Sequence, residues 1–143
     1  GCDCGRDVLD DRGARWVVDG GEVGPGHPML RAVLPDGRPI VGLPGNPLAA
    51  VSGLVTLAAP LIAAMRDVPS LDEDVVLGVD VTSHPRDTRI IPVVIEDGQA
   101  RPLRFDGPAM LRSLALADAL VAIPPSGGLA GSAVPLLPVP ALR

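Results

Sequence analysis

Gly42-Leu43-Pro44-Gly45-Asn46-Pro47 links a short apolar segment to a long apolar run. The segment that enters it, residues 39–43, has the length and composition of a buried strand. Asn46 is a preferred N-cap residue, and Pro47 suits the first position of a helix because a missing N–H costs nothing there. The stretch therefore predicts a strand, a stiff turn and the start of a helix.

This turn is also a candidate anion site, because backbone N–H groups and the helix dipole converge at such a helix start. We expect Gly45 to adopt a backbone conformation that a side chain would block, and Pro44 and Pro47 to stiffen the turn. The pattern is not a P-loop, since the longer glycine spacing and the Lys-Ser/Thr pair are missing. From the pattern alone, a strand-to-helix connection without any ligand stays the alternative.

The run after the turn predicts a helix that is apolar nearly all round. Its apolar residues recur at three- and four-residue intervals from Leu48 to Ile62, and a second face is filled as far as Met65. Such a helix belongs inside a domain or at a subunit interface. Pro60 should kink or break it near its last turns. Because four residues interrupt the apolar run (Ser52, Gly53, Thr56 and Pro60), we do not expect it to span a membrane.

The first half of the chain, residues 1–69, predicts short α and β elements around this helix. A short helix is expected within residues 7–16, stopped around Gly13 and leading into a strand over residues 16–18, and turn signals crowd residues 20–28. Two apolar runs, 29–34 and 39–43, flank a Pro-Asp-Gly turn, which favours a β-hairpin.

The second half, residues 70–143, predicts a small, mostly β barrel or sandwich. The expected strands are residues 75–82, 89–96, 99–104, 120–123 and 133–137, with one helix over 108–117. Asp97-Gly98 is the strongest hairpin signal in the chain. The change of pattern near residue 70 indicates two domains.

A second candidate binding stretch is Pro25-Gly26-His27-Pro28. His27 could hydrogen-bond a phosphate or another oxyanion if it faced the same cleft as residues 42–47. Arg86 and Arg89 could present guanidinium groups to an oxyanion. For all three side chains, an ordinary exposed position is the alternative interpretation.

Composition excludes several function classes. The net charge is −5, every one of the 12 basic residues is an arginine, and aromatic residues make up only 1% of the chain, so nucleic acid and anionic membranes are not expected partners. Cys2 and Cys4 are one residue apart at the N-terminus and lack two further ligands for zinc, so we predict no metal site in this chain and free thiols. No signal peptide is evident, so a cytoplasmic protein is expected. The chain begins with Gly, and we expect it to be a fragment of a longer protein.

Three stretches together resemble the molybdopterin molybdenumtransferases of the MoeA and gephyrin E-domain family. They are residues 23–30, residues 39–54 and residues 111–125, in that order and spacing. The resemblance implies the end of a MogA-like, molybdopterin-binding α/β domain over 1–69 and the C-terminal β domain of MoeA over 70–143. It also implies insertion of molybdate into adenylylated molybdopterin, assisted by Mg²⁺, in a homodimer.

The resemblance assigns substrate-binding roles to two stretches and two further residues. Residues 42–47 would shape the pterin-phosphate cleft, with Ser52 close behind them in the helix. The family usually has Lys where this chain has His27, within the stretch 25–28. Arg89 would correspond to the arginine that the C-terminal domain directs toward molybdate.

The catalytic residue of the family is an Asp in a Gly-Gly-x-Ser-x-Gly-x-x-Asp motif upstream of the first helix. The resemblance implies that residues 1–7, which include Asp3 and Asp7, are a degenerate or truncated remnant of that motif, or that the motif lies upstream of them. The alternative to an enzyme is therefore a non-catalytic module of the same fold that binds pterin or forms dimers.

Overall fold

The computed structural model describes residues 4–19, 23–24, 29–69, 72–104 and 109–138. The helices are α1 (Cys4–Asp11), α2 (Pro47–Gly53), α3 (Ala59–Met65) and α4 (Ala109–Leu116). The strands are β1 (Arg15–Asp19), β2 (Val23–Gly24), β3 (Leu30–Val33), β4 (Pro39–Gly42), β5 (Glu73–Leu77), β6 (Thr88–Glu96), β7 (Gln99–Pro102), β8 (Ala119–Ile123) and β9 (Ala133–Pro138). A π-helical turn, Leu54–Ala58, joins α2 to α3.

The first sheet is antiparallel and has the order β1-β3-β4. As predicted, β3 and β4 form a hairpin, in which Leu30 pairs with Gly42 and Val33 with Pro39. Helix α1 packs on one face of this sheet, where Leu9, Ala32 and Leu34 form a small core. Strand alternation places Met29 and Arg31 on the other face. Helix α2, the π-helical turn and α3 form one continuous helix, Pro47–Met65, called the long helix below. It packs on this second face, since Met29 lies against Gly53 of α2.

The second sheet closes into a five-stranded barrel. Its order is β6-β7-β5-β9-β8, and β8 pairs again with β6. The barrel interior is filled by branched and small apolar side chains: Leu77, Ile91, Val93, Ala100, Ala119, Val121, Ile123 and Val134. The predicted small β domain is therefore confirmed as a barrel.

The outer face of β6 and β8 is buried as well. Ile90 and Leu120 point away from the barrel interior and pack against Leu48 and Val55 of the long helix. This explains why four consecutive residues of β6, positions 90–93, are buried, although a strand exposed on one face would alternate.

Two strand predictions need correction. The strand expected over residues 75–82 ends at Leu77, because the chain bends at Gly78 and returns to the sheet only in an isolated bridge between Val81 and Gly128. Strand β2 was not predicted, since the turn residues around it conceal a two-residue strand. It pairs in parallel with β6, with Val23 opposite Thr88.

We expected Pro60 to kink or break the long helix; the helix runs without a break from Pro47 to Met65, but its hydrogen bonding changes to a π-helical turn just before Pro60. Proline has no N–H and its ring clashes with the carbonyl four residues earlier, and a π-helical turn relieves both problems. In that turn the N–H of Ala59 donates to Leu54 O instead of to a carbonyl four residues back. The helix ends at Met65, and two residues later Asp67 adopts a φ of 53°, while the N–H of Val68 donates to Ala63 O at 2.9 Å.

Our expectation that the four interrupting residues leave no apolar segment long enough to span a membrane was wrong, because the helix continues through all four. By length and composition alone, Pro47–Met65 could cross a membrane, since its mean hydropathy reaches 2.1. Core helices of soluble proteins pass the same test, and 28% of the window is buried here.

Candidate functional site

The turn at residues 42–47 is built as the sequence predicts. Strand β4 ends at Gly42 and α2 begins at Pro47. Asn46 has an extended backbone (φ −70°, ψ 129°), and its Oδ1 accepts a hydrogen bond from the N–H of Ala49 at 3.0 Å. The side chain thus caps the helix and fixes the direction in which the chain enters it.

Backbone donors are exposed in this turn. Within the described part of the chain, the N–H groups of Gly45 and Asn46 have no acceptor. Both residues are exposed, as is Leu43, whose side chain is 43% exposed. The end of the turn therefore offers donors at the positive end of the long helix, which is the arrangement that binds oxyanions.

The prediction that Gly45 needs a special backbone conformation was wrong. A Cβ atom added to Gly45 would meet nothing within 4 Å, and its φ is not positive. The glycine that the fold requires is Gly42, where a Cβ atom would lie 2.5 Å from Cγ of Leu30. Gly42 thus permits close packing of the hairpin, whereas Gly45 leaves open space beside the exposed donors.

Ser52 lies in the same helix but is turned away from solvent. It is fully buried, and its Oγ donates to Leu48 O at 2.7 Å. This hydroxyl is used inside the helix, so its expected contact with a substrate stays a prediction.

Arg31 is a feature that the sequence interpretation missed. Its Nε atom is buried and has no hydrogen-bond partner among the described residues. Arg31 pairs with Val41 across the hairpin, one residue before the turn begins. A buried donor without an acceptor is costly, by about 1–3 kcal/mol in general, and commonly indicates a missing anion or water. Only the fold could reveal it, because an arginine in a strand is ordinary in sequence.

Arg89 is brought toward the other predicted binding stretch. In the parallel pairing of β2 with β6, Arg89 lies opposite Gly24, the residue directly before Pro25. The Arg89 side chain is half-buried, and its Nη1 donates to Thr82 O at 3.2 Å. The structure thus joins a residue of the barrel to the edge of the stretch 25–28.

The loop before β6 holds the other polar candidates. Nδ1 of His84 accepts from the N–H of Arg86 at 3.2 Å and lies 3.4 Å from Oδ2 of Asp87. Arg86 is exposed. These contacts shape the loop before β6.

Several predicted residues lie outside the described ranges. They are Cys2, Asp3, Pro25, Gly26, His27 and Pro28. Asp7 is described: it is exposed in the first turn of α1, on the opposite face of the first sheet from the long helix. In the described ranges, no three His, Cys, Asp or Glu side chains group so that they could hold a metal ion. The Mg²⁺ that the resemblance implies therefore has no ligands assigned among these residues.

Comparison with known proteins identifies the barrel. The profile of the MoeA C-terminal region (domain IV) matches residues 74–139. Over residues 74–139 the chain is therefore similar to that region. The predicted resemblance to a MoeA C-terminal portion is thereby confirmed. No sequence among curated proteins matches the chain.

Solved MoeA structures share the fold of almost the whole chain. A molybdopterin biosynthesis MoeA protein from Pyrococcus horikoshii superposes with a TM-score of 0.76 and 26% identity over 99% of this chain. A second structure of that name, from the OT3 strain, gives a TM-score of 0.71 and 22% identity over 85% of this chain. A molybdenum cofactor biosynthesis protein from Pyrococcus furiosus gives a TM-score of 0.71 and 19% identity over 95% of this chain. At these identities, the second and third structures show the fold alone.

The chain is shorter than each of these structures. It covers 36%, 31% and 54% of their respective chains. It therefore spans between about a third and a half of their length. The MoeA C-terminal region is the part for which both sequence and fold agree.

Proposed function

We propose that this chain is part of a molybdopterin molybdenumtransferase, which inserts molybdate into the dithiolene of adenylylated molybdopterin while water hydrolyses the adenylate bond and AMP leaves. The observation that carries the proposal is the exposed pair of backbone donors at Gly45 and Asn46, held at the start of a capped helix. Both substrates are oxyanions, and such donors bind oxyanions. The similarity of residues 74–139 to the MoeA C-terminal region supports the same reaction.

In this proposal residues 42–47 hold the phosphate of the pterin. The open space beside Gly45 lets the phosphate approach the backbone. Arg31 adds a cation whose buried Nε has no acceptor within the described part of the chain.

Arg89 and the stretch 25–28 form the molybdate side of the proposed site. The pairing of Arg89 with Gly24 supports this assignment, because it links the barrel to the residue before Pro25. His27 takes the place of the usual Lys and would bind the oxyanion best when it is protonated. Molybdate is the substrate here, and no step is assigned to Mg²⁺.

The remaining parts of the proposal concern the assembly. Residues 1–69 would be the end of the MogA-like pterin-binding domain, and the protein would be a cytoplasmic homodimer. Exposed apolar side chains on the long helix, such as Ile62 and Met65 (52% and 65% exposed), support burial against further protein.

A non-catalytic module is the second candidate, and the position of Asp7 favours it. Asp7 is exposed on α1, and α1 lies on the far side of the first sheet from the long helix. Such a module would bind the pterin or form dimers without carrying the acidic residue that the reaction requires.

Rescue of a strain that lacks its own molybdenumtransferase separates the two candidates. We expect the full-length protein to restore molybdoenzyme activity, and Arg31→Met to reduce that activity, because the phosphate contact is lost. Arg66→Met, at an exposed position after α3, is the matched control and should rescue fully. If the full-length protein is folded and binds molybdopterin but gives no rescue, the module is correct and the enzyme is not.

A further inference from the structure

A groove of about 650 Å³ lies between the long helix and the barrel, away from the turn at 42–47. Its walls come from the π-helical turn and α3 on one side and from the start of β5 and the end of β9 on the other. This volume lies within the usual range of ligand-binding pockets, and it is large enough for several amino-acid side chains. The proposed molybdenum chemistry uses none of these residues.

The floor of the groove is apolar. It is formed by small and branched side chains: Val55, Ala59, Ala63, Leu136 and Leu137. Val55 and Leu137 also belong to the core that joins the helix to the barrel. The floor is therefore held in place by core packing, and its small side chains leave room in the groove for a ligand.

One rim of the groove is acidic. Glu73 and Asp74 line it at the start of β5, and both are exposed. Among the described residues that line the groove there is no Lys, Arg or His. An occupant that fits must therefore bring apolar groups for the floor and positive charge for the rim.

The backbone beside the rim favours an extended peptide. Strand β5 pairs with β9 from Glu73 to Val76, but on its other side β7 pairs only with Val76 and Leu77 among the described strands. Within the described part of the chain, the first residues of β5 thus have one side without a neighbouring strand. Such an edge accepts an extended segment by strand addition.

We propose that this groove binds an extended peptide segment in which an apolar side chain is flanked by Lys or Arg. The apolar side chain would occupy the floor between Ala63 and Leu136, and the basic side chains would meet Glu73 and Asp74. The proposal is independent of molybdenum transfer, because it shares no residue with the turn at 42–47.

The test mixes the whole protein with a fluorescently labelled short peptide of alternating arginine and leucine. Binding is measured as the rise in the fluorescence anisotropy of the peptide. We expect saturable binding of this peptide and none of its counterpart with glutamate in place of arginine. The double variant Glu73→Gln/Asp74→Asn should weaken binding about tenfold, through loss of the charge pairs. The double variant Asp11→Asn/Asp97→Asn changes the net charge equally, at exposed positions outside the groove, and should bind like the unaltered protein.

A groove-filling variant, Ala63→Phe, tests the floor separately from the charge. It should abolish binding while circular dichroism stays unchanged. The proposal is overturned if the unaltered protein does not bind the peptide. It is equally overturned if both charge variants weaken binding alike, which would indicate general attraction to an acidic protein, or if Ala63→Phe folds and binds normally.

Discussion

The side-chain Oδ1 of Asn46 accepts a hydrogen bond from the N–H of Ala49 at 3.0 Å, three residues into the long helix. This contact fixes the entry of the chain into a helix that passes from the proposed anion site to the outer face of the barrel. We therefore expect Asn46→Ala to lower the free energy of unfolding by about 1 kcal/mol, because one helix N–H loses its acceptor. Thermal or urea denaturation measures this. Asn46→Asp keeps a capping oxygen and should be nearly neutral, so equal losses in both variants would contradict the capping role.

Gly42 and Gly45 make a matched pair within one turn. Gly42→Ala should destabilise the protein by about 1–3 kcal/mol, because its Cβ would overlap Leu30, 2.5 Å from Cγ. Gly45→Ala should leave stability unchanged within about 0.5 kcal/mol, since nothing lies near its Cβ. If a phosphate approaches the backbone there, Gly45→Ala should weaken pterin binding without a change in melting temperature. Equal destabilisation by both substitutions would contradict this packing, in which only Gly42 has a close neighbour.

Leu120 connects the barrel to the long helix. It is fully buried on the outer face of β8, in the cluster with Leu48, Val55 and Ile90. Leu120→Ala should lower the free energy of unfolding by about 2–5 kcal/mol, because it leaves a cavity between the barrel and the long helix. Leu129→Ala, at a side chain that is 71% exposed, is the control and should be nearly neutral. A small loss for Leu120→Ala would mean that the helix does not pack on the barrel.

The Asp36 carboxylate in the β3–β4 turn predicts a pH dependence. Its Oδ2 accepts a hydrogen bond from Nε of Arg38 at 2.8 Å, and its Oδ1 accepts one from the backbone N–H of Arg38. These bonds hold the pKa of Asp36 below its ordinary value. A lowered pKa means that the stabilisation is complete above the unfolded-state pKa and is lost as the pH falls through the folded-state value.

Asp36→Asn should therefore remove a small part of the acid sensitivity of the protein. Melting temperatures of the two proteins, measured from neutral to acidic pH, should differ near neutrality and converge as the carboxyl becomes protonated. The difference is expected to be small, because both side chains are exposed and solvent screens the pair. A difference that grows toward low pH would contradict the assigned hydrogen bonds.

The sequence by itself determined the local elements whose signals are contained in a few neighbouring residues. Asn46-Pro47 specified a helix start, since a capping side chain bonds within three residues, and Asp97-Gly98 specified a hairpin, where both residues adopt positive φ (51° and 75°). The order of motifs was also enough to indicate the MoeA C-terminal region. Residues 25–28 were predicted as a binding stretch, but they lie outside the described ranges.

Only the tertiary structure decided features that depend on residues distant in the chain. The pairing of Arg89 with Gly24 has no signature in the sequence, and neither does the buried Nε of Arg31, which has no partner among the residues that the structure describes. Both features arise from contacts between separate segments. For the same reason, the structure assigns Gly42 and Gly45 roles that differ from those predicted from the sequence. Gly42 is required by its approach to Leu30 across the hairpin, whereas Gly45, the more conspicuous glycine in the motif, is free of any neighbour that would exclude a side chain.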